Sequence, residues 1–256
     1  MGGADRLMAA AMSVTLSAPA KLTLSLRVTG VRDDGYHLID AEMVTLRWAD
    51  RLTIRPADVT SLSASGPFAA GMPLDQRNLI WRALDAVGRT ATVHIDKQLP
   101  HGGGLGGGSA DAAAVLRWAG CDDLAVAAQL GADVPFCLRC GVPGGRARVR
   151  GIGELVDVLP PLEQTVTLVI PPLAVSTPAV YQMWDQLGGP SGESSNDLEA
   201  AAIAVCPELA EWRDRITAAC EQQPTLAGSG ATWFLLGDFG GIASALPTAR
   251  VVVTRS

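Results

Sequence analysis

Residues 100–112 read Pro-His-Gly-Gly-Gly-Leu-Gly-Gly-Gly-Ser-Ala-Asp-Ala, with glycine at six of the seven positions 102–108. An apolar β-like run (91–95) precedes them and a helix-forming run (110–118) follows. Glycine permits positive φ and lets backbone N–H groups approach a ligand with no Cβ in the way. The first N–H groups of a helix lack internal partners, and the helix dipole favours negative charge there. A glycine loop opening a helix is therefore an anion site, and a phosphate-bearing ligand is the leading expectation. Gly102, Gly104 and Gly107 also satisfy G-x-G-x-x-G, a weak dinucleotide pattern on its own. A dinucleotide fold needs a strand ending in an acid about 20 residues on. Cys121-Asp122-Asp123 lies at that distance but follows a helix directly. No lysine follows Gly107 or Gly108, which excludes a Walker loop. A flexible linker fits poorly between a strand and a helix so close by.

Four other segments carry chemistry-bearing side chains. Lys21 stands in Ala18-Pro-Ala-Lys-Leu-Thr-Leu-Ser-Leu and Asp133 in Leu130-Gly-Ala-Asp-Val-Pro-Phe. Taken singly, such a lysine is a solvated strand residue and such an aspartate a cap or turn. Tyr36-His37 after Gly35 reads as a packed aromatic and a satisfied histidine. Ala227-Gly-Ser-Gly-Ala before an apolar run reads as a tight turn. Cys137 and Cys140 form a single CxxC with no histidine close in sequence, so two small semi-buried thiols are expected rather than zinc or redox chemistry.

The elements that must position these groups follow from pattern. Residues 14–28 alternate, with Ala20, Leu22, Leu24 and Leu26 on one side and Lys21, Thr23, Ser25 and Arg27 on the other, as in a half-buried strand. Residues 36–48 and 51–55 read as two strands with Ala49-Asp50 as their turn. A helix over 78–87 has Asn78 as N-cap. A strand at 91–97, the glycine loop and a helix from Ser109 follow, then a short helix over 122–130 stopped by Gly131. Strands are expected near 146–150 and 154–158. Leu159-Pro-Pro-Leu162 is the boundary candidate. Beyond it lie a strand (165–170), a helix (177–187), a Gly/Ser loop (188–195), helices over 197–205 and 208–220, and late strands at 231–236 and 250–254. Strands that cluster early, with helices interspersed later, indicate an α+β fold.

Bulk properties narrow the function. The chain has 256 residues, 48% of them hydrophobic and 18% charged, so it can bury a large core without staples. Its net charge of −6 argues against general binding to nucleic acid or anionic membranes. Five cysteines, an odd number, do not suit a disulfide framework and point to a reducing cytoplasm. No apolar run reaches the ~18–20 residues that span a bilayer. Residues 1–13 read as a loose tail, with Met8 and Met12 as alternative starts.

In this order, the Pro-Ala-Lys-Leu, Asp-Gly-Tyr-His, Lys-Gln-Leu-Pro-His-glycine-loop-Ser, Leu-Gly-Ala-Asp-Val-Pro-Phe and Ala-Gly-Ser-Gly-Ala segments resemble the GHMP kinases. The second and fourth are similar to the branch whose substrate is a cytidine diphosphate sugar-alcohol. The resemblance implies a two-lobed α+β fold: a ribosomal protein S5 domain 2-like, ATP-binding lobe over 14–160, then a ferredoxin-like, substrate-closing lobe over 161–256. It implies transfer of the γ-phosphoryl of ATP, with Mg²⁺, to a hydroxyl of the sugar-alcohol in isoprenoid precursor synthesis. Asp133 would be the general base and Lys21 would stabilise the transferring group. Pro100, Gly102, Gly103, Gly104, Leu105, Gly106, Gly107, Gly108, Ser109 and Ala110 would hold the ATP phosphates. Asn78, Lys97 and Thr177 would line the adenine end. Tyr36 and Tyr181 would sandwich the cytosine, His37 would bond its edge, and Gly228, Ser229 and Gly230 would meet the substrate phosphates beside Thr23. No dedicated protein cage for metal is implied; Mg²⁺ would be held by ATP, with Ser109 in reach. Small molecules would be the partners, without nucleic acid or membrane, and the state a monomer or weak homodimer. Thr23 stands where this family usually has Asn, Ala110 where a second Ser is usual, and His101 where an apolar residue is usual. A sibling kinase for homoserine, mevalonate or a sugar, and a dinucleotide-binding protein, are the alternatives.

Overall fold

A computed structural model describes residues 12–190 and 194–256; the tail reading for residues 1–13 falls almost wholly outside them. The chain forms two sheets, one from each half. The first contains β1 (Val14–Val31), β2 (His37–Pro56), β3 (Ser61–Ser65), β4 (Ala91–Asp96), β5 (Arg146–Gly151) and β6 (Leu155–Leu159), in the order β3-β4-β2-β5-β6 with β1 along β2. The second contains β7 (Thr165–Ile170), β8 (Thr225–Leu226), β9 (Trp233–Leu236) and β10 (Arg250–Arg255), in the order β10-β7-β9-β8. The two-lobed α+β layout is the one expected. Among the described residues no helix is long and apolar enough to cross a membrane.

The expected turn at Ala49-Asp50 does not exist: β2 is one strand of 20 residues. On one side β1 accompanies it for nearly its whole length. On the other, residues 39–44 pair with β5 and residues 51–56 with β4, leaving a gap between. Asp50 sits at the edge of that gap with a buried side chain. Its Oδ1 accepts the N–H groups of Gln98 and Leu99 at 2.6 and 2.8 Å, so the carboxylate takes over where the strand ladder stops. Composition suggested a turn because aspartate is rare inside strands; here it is an internal acceptor.

The β1 alternation is also broken. Register shifts at Pro19/Lys21 and Thr23/Ser25 turn the strand. Ala18 and Leu26 therefore join the larger core while Ala20 and Leu22 join a smaller one. Both of those cores draw residues from each half, such as Leu26 with Val180 and Leu22 with Leu168. Lys21 and Thr23, on the face expected to be solvated, are buried.

The helices are α1 (Leu79–Ala86), α2 (Gly107–Trp118), α3 (Leu124–Leu130), α4 (Val134–Arg139), α5 (Thr177–Gln186), α6 (Glu199–Val205) and α7 (Glu208–Cys220). Sequence pattern missed β3, α4, β8 and a 3-10 turn over Gly240–Ala245, all short, split β2 in two, and placed the others within a few residues. The alanines of α2 are buried nearly all round, which lets the helix lie close to its neighbours.

Beneath the start of α2 lies a buried ionic trio. Lys97 Nζ is 2.5 Å from Asp50 Oδ2 and 2.7 Å from Asp111 Oδ2. Burial would lower the lysine pKa, but the two carboxylates reverse this and raise it. Burial pushes the Asp111 carboxyl well above the usual carboxylate range, against the pull of Lys97. The trio ties β2, the end of β4 and α2 together where the glycine loop begins. Lys97→Met would leave two buried carboxyls without their cation. We expect a loss of about 3–5 kcal/mol of unfolding free energy, read by denaturant titration; a loss below ~1 kcal/mol would remove the trio from this role.

Candidate active site

Lys21 lies in β1 just past the irregularity after Pro19, in register with Thr45 of β2, and its N–H bonds to Leu105 C=O at 2.9 Å. Its side chain then runs under the glycine loop. Nζ reaches Asp133 Oδ2 at 3.2 Å and donates to Thr23 Oγ1 at 3.1 Å. Asp133 precedes α4, which starts Val134-Pro135, a favoured place for proline. Its carboxylate makes no cap bond to the helix. It is 30% exposed, open to a ligand as well as to Lys21. A lysine and an aspartate distant in sequence thus converge in the cleft, where each taken singly read as ordinary.

The glycine loop forms one wall. Gly102, Gly104 and Gly106 have φ of 69°, 75° and 64°, the left-handed region where a side chain is strained. At Gly106 a Cβ would lie 2.6 Å from Lys21 Cγ; at Gly104 it would lie 2.6 Å from Ala227 C=O. Glycine at these two positions therefore lets the lysine stem and the second glycine turn come close. Gly106 ends the loop as the N-cap of α2, and the first helical bond is Ala110 N–H to Gly106 C=O. The N–H groups of Gly107, Gly108 and Ser109 precede that bond and have no carbonyl one turn back.

These parts border a cleft of about 1070 Å³. Lys21, Thr23, Tyr36, His37, Pro100, Gly102 to Ser109, Asp133, Thr177, Tyr181, Gly228 and Ser229 line it. Among the described residues Lys21 is the single Lys or Arg in that lining, against Asp133, Glu154 and Asp185. Among the described residues no three His, Cys, Asp or Glu side chains gather to hold a metal ion.

At the other end His37 packs on α5. Its ring centroid is 4.7 Å from that of Tyr181 and 5.6 Å from that of Trp184, and Nε2 is 2.8 Å from Asp185 Oδ1. Burial, helped by the negative charge of Asp133, pushes the Tyr181 hydroxyl up to about 12, so it stays protonated. Tyr36 stands at the mouth, 60% exposed. The second glycine turn is held by Asn196, which donates to Leu226 C=O and Gly228 C=O at 2.9 and 2.7 Å and accepts Leu198 N–H at 3.0 Å.

Five of the expected site residues have other partners or surroundings in the fold. The Lys97 ammonium points into the trio, the residue's N–H and C=O are taken by Ser65 and Phe68, and Lys97 is not among the residues lining the cleft. Asn78 uses both ends of its amide locally, accepting Ile80 N–H and donating to Pro73 C=O; the capping account is correct. Thr177 bonds Ser229 Oγ at 2.7 Å and belongs with the second glycine turn. Ala110 and Gly230 are buried outside the lining, the latter packed near Leu226 and Leu209. Cys137 and Cys140 are free and buried. Sequence reasoning missed Asp50, Asp111, Asp185 and Asn196. Of these only Asp185 left a trace, as the last member of a Tyr-x-x-Trp-Asp spacing that shares one helix face.

Comparison with known proteins agrees with this geometry. The family described as GHMP kinases N terminal domain matches residues 78–141, the stretch from the start of α1 through the glycine loop to the end of α4. A 4-diphosphocytidyl-2-C-methyl-D-erythritol kinase from Jannaschia sp. is 42% identical over 241 residues, covering 85% of this chain and 86% of the relative. One from Paracoccus denitrificans is 43% identical over 237 residues, covering 85% of each. A crystal structure of 4-(cytidine 5'-diphospho)-2C-methyl-D-erythritol kinase superposes with a TM-score of 0.75 at 31% identity, covering 94% of this chain and 98% of the other. Homoserine kinase from Cytophaga hutchinsonii shares the fold at 16% identity, with a TM-score of 0.59. The chain belongs to the 4-diphosphocytidyl-2-C-methyl-D-erythritol kinase family.

Gly106→Ala places a methyl group against the Lys21 stem in a left-handed conformation. The strain of about 1–2 kcal/mol should lower the melting temperature and displace Lys21. Calorimetry and turnover should both fall; an unchanged variant would show that the loop yields easily.

Proposed function

We propose that the protein transfers the γ-phosphoryl of ATP to the 2-hydroxyl of 4-(cytidine 5'-diphospho)-2-C-methyl-D-erythritol, acting in the cytoplasm as a monomer or weak homodimer. The observation that carries this reading is the 3.2 Å approach of Lys21 Nζ to Asp133 Oδ2 in the cleft beside the glycine loop. Residues 14–160 would bind ATP, and residues 161–256 would supply the opposite wall.

Phosphoryl transfer demands positioning and charge neutralisation more than covalent help. The N–H groups of Gly107, Gly108 and Ser109 receive phosphate oxygens at the start of α2. Asp133 accepts the proton of the attacking hydroxyl. Lys21, held by Thr23 and Asp133, sets its charge beside the moving phosphoryl group. Thr23 does this with a shorter reach than the usual Asn. Mg²⁺ bound with ATP would neutralise the phosphates, and the Ser109 hydroxyl would be in reach to help hold it. Tyr36, Tyr181 and His37 take the cytosine. Ser229, with Thr177 beside it, and the Gly228 backbone face the diphosphate.

Asp133→Asn keeps the shape and removes the base. ADP release in a coupled assay should fall by about 10²–10⁴-fold, while nucleotide binding, followed by calorimetry, persists. Lys21→Met should also lose most of the rate. A near-normal rate in Asp133→Asn would refute the base assignment, and absence of ADP release from the unaltered protein with this substrate would refute the function.

A further inference from the structure

Asp185 has no role in the reaction described above, yet it touches a residue that does. Its Oδ1 lies 2.8 Å from His37 Nε2. A carboxylate offers no hydrogen, so Nε2 must carry one. In the neutral imidazole the other nitrogen, Nδ1, is then an acceptor. No described residue bonds to Nδ1; the His37 side chain makes its single hydrogen bond to Asp185.

The ring has little freedom to turn. Tyr181, Trp184 and Asp185 stand at i, i+3 and i+4 on α5 and so share one face. The Tyr181 ring tilts 33° against the imidazole, and the Trp184 ring meets it edge-on at 85°. Only 10% of the His37 side chain is exposed, against 49% of Asp185. The acid therefore holds the ring from the solvent side while His37 lines the cleft.

We propose that Asp185 is a positioning residue that fixes His37 as the Nε2–H tautomer, so that Nδ1 selects a base bearing an exocyclic amine over one bearing a carbonyl. The inference rests on the reading that His37 meets the edge of the nucleobase. Cytosine presents an amino group, which donates to Nδ1. Uracil presents a carbonyl oxygen at the same place, and two acceptors would face each other with neither satisfied. Sites built to bond one polar group reject analogues that lack it far better than apolar pockets reject a missing methylene.

Two measurements on the full chain test this. Nitrogen-15 NMR of the protein without ligand, with labelled histidine assigned by a His37→Gln control, should show His37 as Nε2–H with Nδ1 bare. In Asp185→Ala that signature should give way to a mixture of tautomers. Secondly, the ratio of kcat/KM for the cytidine substrate to that for its uridine counterpart should fall about tenfold in Asp185→Ala. Asp185→Asn, which offers both a donor and an acceptor, should lie between. Asp185 is half-exposed, so neither change opens a hole in the core. A His37 that is Nδ1–H or doubly protonated in the unaltered protein overturns the proposal, as does an unchanged ratio in Asp185→Ala. Failure of the parent reading looks different: the unaltered protein would turn over neither substrate, while the NMR signature would still report the tautomer.

Discussion

A loop made of glycine has no side chains with which to hold itself in place, and the site depends on that loop keeping one shape. The Asp50–Lys97–Asp111 trio anchors its base. Asp50 gathers the N–H groups of Gln98 and Leu99 beside the gap between β4 and β5 along β2, and Lys97 links that point to α2. Further along, the Lys21 stem fills the space a Cβ at Gly106 would need, and the second glycine turn presses on Gly104. The loop is thus shaped by what surrounds it. The N–H groups of Gly107, Gly108 and Ser109, which have no carbonyl one turn back, remain available to a ligand because other groups hold the loop in position.

The electrostatics of the cleft follow the same logic. One lysine stands against three acids in its lining, in a protein whose net charge is −6. Side-chain cations therefore cannot neutralise a triphosphate and a diphosphate together. The start of α2 offers unpaired N–H groups and the helix dipole instead. Lys21 itself is held beside Asp133 and Thr23.

Much of this was legible in the sequence, for identifiable reasons. The glycine loop and the helix after it stand out because composition and position both require them. Lys21 and Asp133 were legible only as members of a set, since each alone has an ordinary explanation. What escaped notice depends on tertiary pairing. Nothing in the Lys97-Gln98 stretch shows that the ammonium turns inward to two aspartates 47 and 14 residues away. Ala49-Asp50 has turn composition because the partner groups that make Asp50 comfortable inside a strand are remote in sequence. The β1 alternation was real, but its irregularities sent residues of equal parity into different cores. Asn196 lay beside a Gly/Ser stretch that reads as a loop, with no local sign that its amide holds a distant turn.

The segment around Asn196 also runs alongside β1: Leu26 N–H bonds Ser195 C=O, Asp197 N–H bonds Leu26 C=O, and Asp197 accepts Val28 N–H. The strand that bears Lys21 is thereby stitched to the half of the chain that supplies the opposite wall. Arg250 adds a rivet, its guanidinium lying 5.5 Å from the Trp48 ring centre and 5.0 Å from that of Phe68. Halves sewn together through main-chain bonds and a shared apolar interior cannot swing apart like jaws at low cost. Entry to the cleft is therefore by its rim, where Tyr36 and His101 lie exposed.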